Sequence, residues 1–380
     1  MNTLANRSTN PLFGPNKMKL GVFGPNLSYG CAITLAEGTF KTDWQSCRTV
    51  GLLADAAGLE ALVPVARWKG FGGSTNFNGS SFESYSWAAG LAAITSYTAV
   101  LATCHVSTIH PVMAAKQITT IDHISGGRFA LNVVCGGGGF AAEAPMFGFD
   151  KQEHDLAYEY ADEWLDVMCR LWTADEPFDY EGGFFKLRSL YQEPKPVQRP
   201  YPGIMNAGGS TVGQRFAAKH SDMAFVRLSK GEVKEQVDQF RRVAREEFGR
   251  EIQVWGNAYV VCRPTEKEAR DYLHYYVVEK GDWEAAQNVT RGMGGVQGLS
   301  PEAFEDLKFQ LIAGWGGYPL VGTAEQITSE LKRLSSLGID GCLLNWVNYE
   351  AELRQWNEEV MPLLEQAGLR RPFKHTSQAA

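Results

Sequence analysis

Short apolar runs alternate with helical stretches along almost the whole chain, and that alternation restricts the fold more than any other feature. The runs at 19–24, 59–65, 98–107, 129–135, 203–209, 221–228, 252–262 and 341–346 read as eight strands. Segments with helical spacing separate them, among them WQSCRTVGLLADAA behind Asp43, PVMAAKQITTIDHI, HDLAYEYADEWLDVMCRLW and TAEQITSELKRLSSLG. Strands joined by crossover helices lie parallel, and helices cover both faces of their sheet. Eight such units predict an α/β fold, the (β/α)8 TIM barrel, which takes ~250 residues. A doubly wound open sheet is the alternative. The remainder of the 380 residues is assigned to a flexible N-terminal arm at 1–17, long loops, an insertion at about 263–321 and a C-terminal tail at 369–380, with the barrel spanning 18–368. YEGGFFKLRSLY reads as a small hairpin outside the alternation.

Composition narrows the partners. The net charge of −7 is spread through the chain without a basic run, so nucleic acid is not an expected partner. The seven cysteines are scattered, odd in number and never spaced as CxxC, which points to a reducing compartment and away from disulfides or zinc. No secretory leader or membrane span is legible, so a soluble cytoplasmic protein is expected.

In a barrel the site forms where the strands end, and those ends carry Arg67, Thr103, Asn132, Asn206, Arg227 and Asn345 with Trp346. Asn132 is the polar interruption of the apolar run 129–135, so its amide is either satisfied locally or directed at a ligand. GGSTVGQ at 208–214 is a glycine turn opening a helix, where free N–H groups and the hydroxyls of Ser210 and Thr211 suit an anion. The same geometry serves many ordinary connections. Gly136, Gly138 and Ala141 match a loose dinucleotide fingerprint, but Pro145 follows where its helix should open, so a flat ring against bare backbone is the better functional use. His105 is a candidate acid or base, or simply a packed histidine. Cys135 is either a nucleophile or a small buried residue. Tyr29, Trp68, Phe140 and Trp346 are candidate substrate contacts, or packing.

At TIDHISGGRFALNVV, HDLAYEYADEW, NAGGS and VGTAEQI the chain resembles the bacterial-luciferase-like family of flavin-dependent monooxygenases. The likeness runs from Met18 to Leu364 and is greatest to the branch that acts on pyrimidines and dimethylsulfone. The resemblance implies a (β/α)8 barrel with an insertion before the last strand. It also implies FMN, taken as FMNH2 from a separate NAD(P)H-dependent flavin reductase, and O2, activated as a flavin peroxide that oxygenates or cleaves a heterocyclic amide or organosulfur compound. Position by position, it implies that Ala66 and Arg67 touch the flavin, that Asn132 bonds the isoalloxazine and that Glu143 lies beside the ring. Tyr158 and Ser210, with Gly209, would hold the phosphate, and Thr103 with Asn132 would flank the oxygen face as the catalytic pair. Relatives pair through barrel helices, so a homodimer or homotetramer is implied. Two departures stand out. Gly137 replaces a tryptophan of the relatives, and Ala157 replaces an arginine, leaving Arg67 or Arg227 as a substitute cation. Hydride transfer with a deazaflavin and a non-catalytic flavin-binding barrel are the alternatives.

Overall fold

The computed structural model describes residues 7–136, 142–150, 153–228, 231–293 and 300–374. The first half follows the alternation: β1 (Lys19–Phe23), α1 (Trp44–Ala56), β2 (Ala61–Val63), α2 (Ser84–Ala92), β3 (Ala99–His105), α3 (Pro111–Ile124), β4 (Phe129–Val134) and α4 (His154–Thr173). The antiparallel hairpin of β5 (Phe178–Glu181) and β6 (Lys186–Leu190) follows. The rhythm resumes with β7 (Gly203–Asn206), α5 (Thr211–His220), β8 (Met223–Val226), α6 (Val233–Phe248) and β9 (Gln253–Cys262).

Helix starts are legible locally. Asp43 accepts from the Ser46 N–H to cap α1, and Pro111 opens α3 at the position where a missing N–H costs nothing. After β9 come α7 (Glu266–His274), α8 (Trp283–Met293), α9 (Pro301–Gly314), β10 (Tyr318–Gly322), α10 (Ala324–Ser336), β11 (Gly341–Asn345), α11 (Tyr349–Gln355) and α12 (Met361–Gln366). The segment expected to be a polar insertion therefore contains a strand. β10 runs parallel to β9 from Tyr318 against Ala258 to Gly322 against Cys262, prolonging the side of β9 whose lower half pairs with β8.

Strands β1, β2, β3, β4, β7, β8, β9 and β11 close into a parallel eight-stranded barrel wrapped by helices, as the alternation predicts. Its interior is narrow. A Cβ on Gly21 would stand 2.6 Å from the Ala61 Cβ and 2.8 Å from a Leu343 methyl, so β1 approaches its neighbours only as glycine. Leu101, Ala130, Met205, Met223 and Trp255 fill the barrel, and a larger apolar layer lies between sheet and helices. A third cluster joins Ile33 and Phe77 to Tyr276, Val289 and Ile312, seating the α7–α9 region on the long loops after β1 and β2.

Both chain ends depart from the expected arm and tail. Arg7 pairs with Asp222 at 2.7 Å, Asn10 Nδ2 donates to the Phe129 carbonyl at 3.2 Å, and Leu12 is fully buried in the interior cluster. Residues 7–17 thus plug the lower end of the barrel, because its interior apolar surface needs a cover there. Arg370 is buried and donates to Glu60 at 2.7 Å, and Phe373 packs on Tyr97 with ring centres 4.5 Å apart.

Candidate active site

β3 and β4 run in register with Thr103 opposite Asn132. Side chains alternate along each strand, so both point into the barrel near its carboxyl end. The Thr103 hydroxyl donates to the Pro64 carbonyl, an acceptor with no proton of its own, which fixes the hydroxyl rotor. Its oxygen must then accept, and Asn132 Nδ2 donates to it at 3.1 Å. The amide is thereby oriented, and Asn132 Oδ1 is left buried without a hydrogen-bond partner among the described residues. The chain from Pro64 through Thr103 aims one acceptor and one spare N–H at the mouth of the barrel.

Beside this pair, the segment after β2 carries Ala66 and Arg67, both buried. The Arg67 guanidinium lies 3.3 Å from Glu143 Oε2 and 4.5 Å from the Phe71 ring centre, while Glu143 Oε1 accepts from the Trp68 and Lys69 N–H groups at 2.8 Å each. Burial lowers the Arg67 pKa and Glu143 opposes that shift. Glu143 is thus a clamp that shapes the loop at 66–69. Burial, reinforced by the charge of Arg67, pushes His105 down to about 3, so it is neutral at pH 7 and a very weak base. Burial raises the Cys135 thiol well above its usual range, which removes it as a nucleophile at neutral pH.

On the other side of the mouth, Ser210 caps α5 by accepting from the Gly213 N–H at 3.1 Å. A Cβ on Gly213 would come within 2.5 Å of the Tyr158 hydroxyl, so the glycine lets that hydroxyl reach the start of the helix, and a Cβ on Gly209 would meet nothing within 4 Å. Burial holds the Tyr158 pKa up at about 12, keeping the hydroxyl a donor. His154 completes the corner, with its Nε2 3.1 Å from Ser210 Oγ and its ring 5.1 Å from that of Tyr158. The sequence reading missed His154, although it stands four residues before Tyr158 on the same face of α4.

Other expected residues lie elsewhere. Asn206 spends its amide on the Val133 carbonyl and the Gly208 N–H, making it a structural cap. Trp346 is buried in the outer layer, edge-on to Tyr349 and Trp356 at 6.0 Å each, and Tyr29 packs in the third cluster. Of the two readings offered for each, packing is the one the buried Trp346 shows, while Tyr29 is half-buried against its cluster. Arg227 donates to Gln310 Oε1, and burial lowers its pKa. Gly137, Gly138, Phe140 and Ala141 lie outside the described residues.

Two cavities flank the mouth. One of about 750 Å³ runs from Gly209 past Arg227 to Gln310 and Tyr318. The other, about 230 Å³, lies against Ala66, Thr103 and His105 beneath Trp68 and Phe147, whose rings meet edge-on at 4.9 Å.

Asn132 Oδ1, an acceptor buried without a partner among the described residues, is what a ring bearing an N–H would complete. The Ser210 corner is what a phosphate at a helix N-terminus needs. The residues present therefore fit a reduced flavin mononucleotide.

The profile of the family described as luciferase-like monooxygenase matches residues 18–341. The chain is 31% identical over 356 residues to the FMNH2-dependent dimethylsulfone monooxygenase of Pseudomonas putida, covering 91% of this chain and 95% of that one. It is 34% identical over 214 residues to the pyrimidine monooxygenase RutA of a Bradyrhizobium species, covering 56% and 58% respectively. Its fold superposes on the crystal structure of DmoA from Hyphomicrobium sulfonivorans with a TM-score of 0.81 at 19% identity, covering 95% of this chain and 91% of that one.

Proposed function

Because the chain belongs to the luciferase-like monooxygenase family, we propose that it is an FMNH2-dependent monooxygenase whose oxygen site is built on Thr103 and Asn132. The observation that carries this reading is the orphaned Asn132 Oδ1, buried at the carboxyl end of the barrel and held in place through Thr103 by the Pro64 carbonyl. Relatives named for FMNH2 dependence support the choice of cofactor.

Reduced FMN, when bound, supplies the electrons that activate O2 for transfer to a small organic molecule. This chain's residues orient and shield that chemistry. Asn132 Oδ1 would accept an N–H of the bound ring, and the second proton on Asn132 Nδ2, the one not given to Thr103, would remain a donor toward the oxygen site. Ala66 offers a small apolar contact, and the clamp of Glu143 on Arg67, Trp68 and Lys69 holds the neighbouring loop against the site. Ser210, Gly209 and Tyr158 would hold the phosphate, with the His154 ring beside them, its Nε2 3.1 Å from Ser210 Oγ. Trp68 and Phe147 meet edge-on at the wall of the smaller cavity and give it an apolar side.

The reading requires a separate NAD(P)H-dependent reductase that delivers FMNH2, and it places the protein in the reducing cytoplasm, in keeping with seven free cysteines. It also carries the expectation of a homodimer or homotetramer formed through barrel helices, which sedimentation measures directly. The test is anaerobic titration with FMNH2 followed by mixing with oxygenated buffer. A delay in the return of oxidised-flavin absorbance that disappears in Asn132→Leu supports the oxygen site. Tight flavin binding with oxidation as fast as in free solution overturns it.

A further inference from the structure

Helix α9 ends in the turn Gly-Trp-Gly-Gly at 314–317, which is fitted closely to the rim of the barrel. A Cβ on Gly314 would collide with Asn345 Oδ1 on β11 and with the Tyr259 Cβ on β9, and one on Gly317 would stand 2.9 Å from Asn257 Nδ2 on β9. Asn257 Nδ2 also donates to the Trp315 carbonyl at 3.4 Å. The turn therefore rests on β9 and β11 at the level where β11 ends, with Asn345 in register with Tyr259. In the closed order of the barrel these strands lie opposite β3 and β4, which carry Thr103 and Asn132.

Trp315 itself has φ 54° and ψ 38°, in the left-handed region. Glycine is the usual residue at such a helix end, and a bulky side chain there is strained. Strain of this kind persists only where the surroundings hold it, and it gathers at functional sites. Glycine fills the other positions of the turn, so the strained position is also the one that carries a ring. The indole is half-buried, with its ring centre 5.9 Å from that of Phe71 and 5.7 Å from that of Phe77. Phe71 in turn lies against the Arg67 guanidinium. Alone among the partly buried aromatic residues described, Trp315 packs against both the third cluster and the interior cluster, where Phe23 and Phe225 meet at 5.3 Å. It is the ring by which α9 reaches the barrel interior.

The flavin-site reading above, on which this inference rests, uses Asn132 on β4 and the Ser210 corner after β7. It leaves the β9 and β11 side of the mouth to be covered by something else. We propose that Trp315 is the solvent-shielding wall of the reaction site on that side, and that its left-handed backbone is retained to put the indole there. A drier mouth strengthens the polar contacts inside it, the Asn132 donor included.

The test compares the native chain with Trp315→Gly, Trp315→Ala, Trp315→Phe and Phe77→Leu, each loaded anaerobically with FMNH2 and checked by flavin absorbance and thermal melting. Phe77 is fully buried in the third cluster, so its variant loosens the same packing without removing the wall. Ferricyanide, a one-electron oxidant that acts without entering the site, is then mixed in anaerobically. Its second-order rate constant reports how exposed the bound ring is, and none of the substitutions changes the charge that the anion meets. Trp315→Gly and Trp315→Ala are expected to raise that constant severalfold, with Trp315→Phe and Phe77→Leu near the native value. Native rates in both truncations, or an equal rise in Phe77→Leu, overturn the inference while leaving the flavin reading standing. Failure of the native chain to load with FMNH2 overturns the flavin reading itself. Trp315→Gly is also expected to melt above Trp315→Ala, since glycine alone is at ease in that backbone. The reverse order would show that no strain is held at this position and would overturn that part of the proposal.

Discussion

Thr103 and Asn132 face each other across two parallel strands, joined by an N–H to oxygen bond of 3.1 Å. The direction of that bond is set from outside the pair, by the Pro64 carbonyl that takes the threonine proton. One consequence concerns the role of Thr103. Its hydroxyl proton is already given to backbone, so it acts chiefly by orienting Asn132, and the donor left for oxygen belongs to the amide.

Thr103→Val is accordingly expected to free the Asn132 amide and to lower kcat/KM ~100-fold, the scale for loss of an oriented oxyanion donor. Thr103→Ser, which keeps the hydroxyl, should recover most of that loss. Stopped-flow flavin traces and turnover with a coupled reductase measure both, and a Val variant with native rates would show that the amide needs no such orientation.

Arg67 and Glu143 form a buried pair in which either partner alone is a liability. Glu143→Gln and Arg67→Met are each expected to lower stability by ~3 kcal/mol, the range for breaking a buried pair from one side. The double variant should lose less than the sum. Urea unfolding of the four proteins gives the coupling, and strictly additive losses would show that the loop at 66–69 stands without the clamp.

Removing the cap of α5 separates phosphate binding from ring binding. Ser210→Ala should cost ~1 kcal/mol of stability and raise the Kd for FMN severalfold while leaving that for riboflavin unchanged. Fluorescence titration with the two flavins reads the difference. Equal losses for both would place the phosphate elsewhere.

His105 makes stability depend on acid. In the unfolded chain an imidazole titrates near 6.5, whereas burial and Arg67 hold the folded one down to about 3. Between those values the unfolded state binds the extra proton, so stability is full above about 6.5 and falls as pH drops toward 3. Denaturant midpoints measured across that window should fall less steeply in His105→Phe than in the native chain, and parallel curves would show that other groups govern the acid limb.

Much of the architecture was local enough to read. Periodicity marked the eight barrel strands, and Asp43, Pro111 and Ser210 marked helix starts, because caps and amphipathic faces are properties of a few adjacent residues. β10 escaped notice because glycines crowd its start and Pro319 stands inside it, and neither is typical of a strand interior. The apparent arm at 1–17 misled for a related reason. Its composition is that of a loop, yet Leu12 is needed by a barrel floor assembled from strands far away in sequence.

By itself, then, the sequence determined the repeated strand and helix units, the barrel they close into and the identity of polar residues at the strand ends. Tertiary structure alone decided which of those polar residues are spent and which remain available. Asn206 and Asn132 are both amides at strand ends. The first has its amide nitrogen on the Val133 carbonyl and its oxygen on the Gly208 N–H, while the second keeps an oxygen unmatched because Thr103 and Pro64 turn it outward. A hydrogen bond is consumed by whichever partner the fold brings within reach, and that depends on register and packing across the chain rather than on any neighbouring residue.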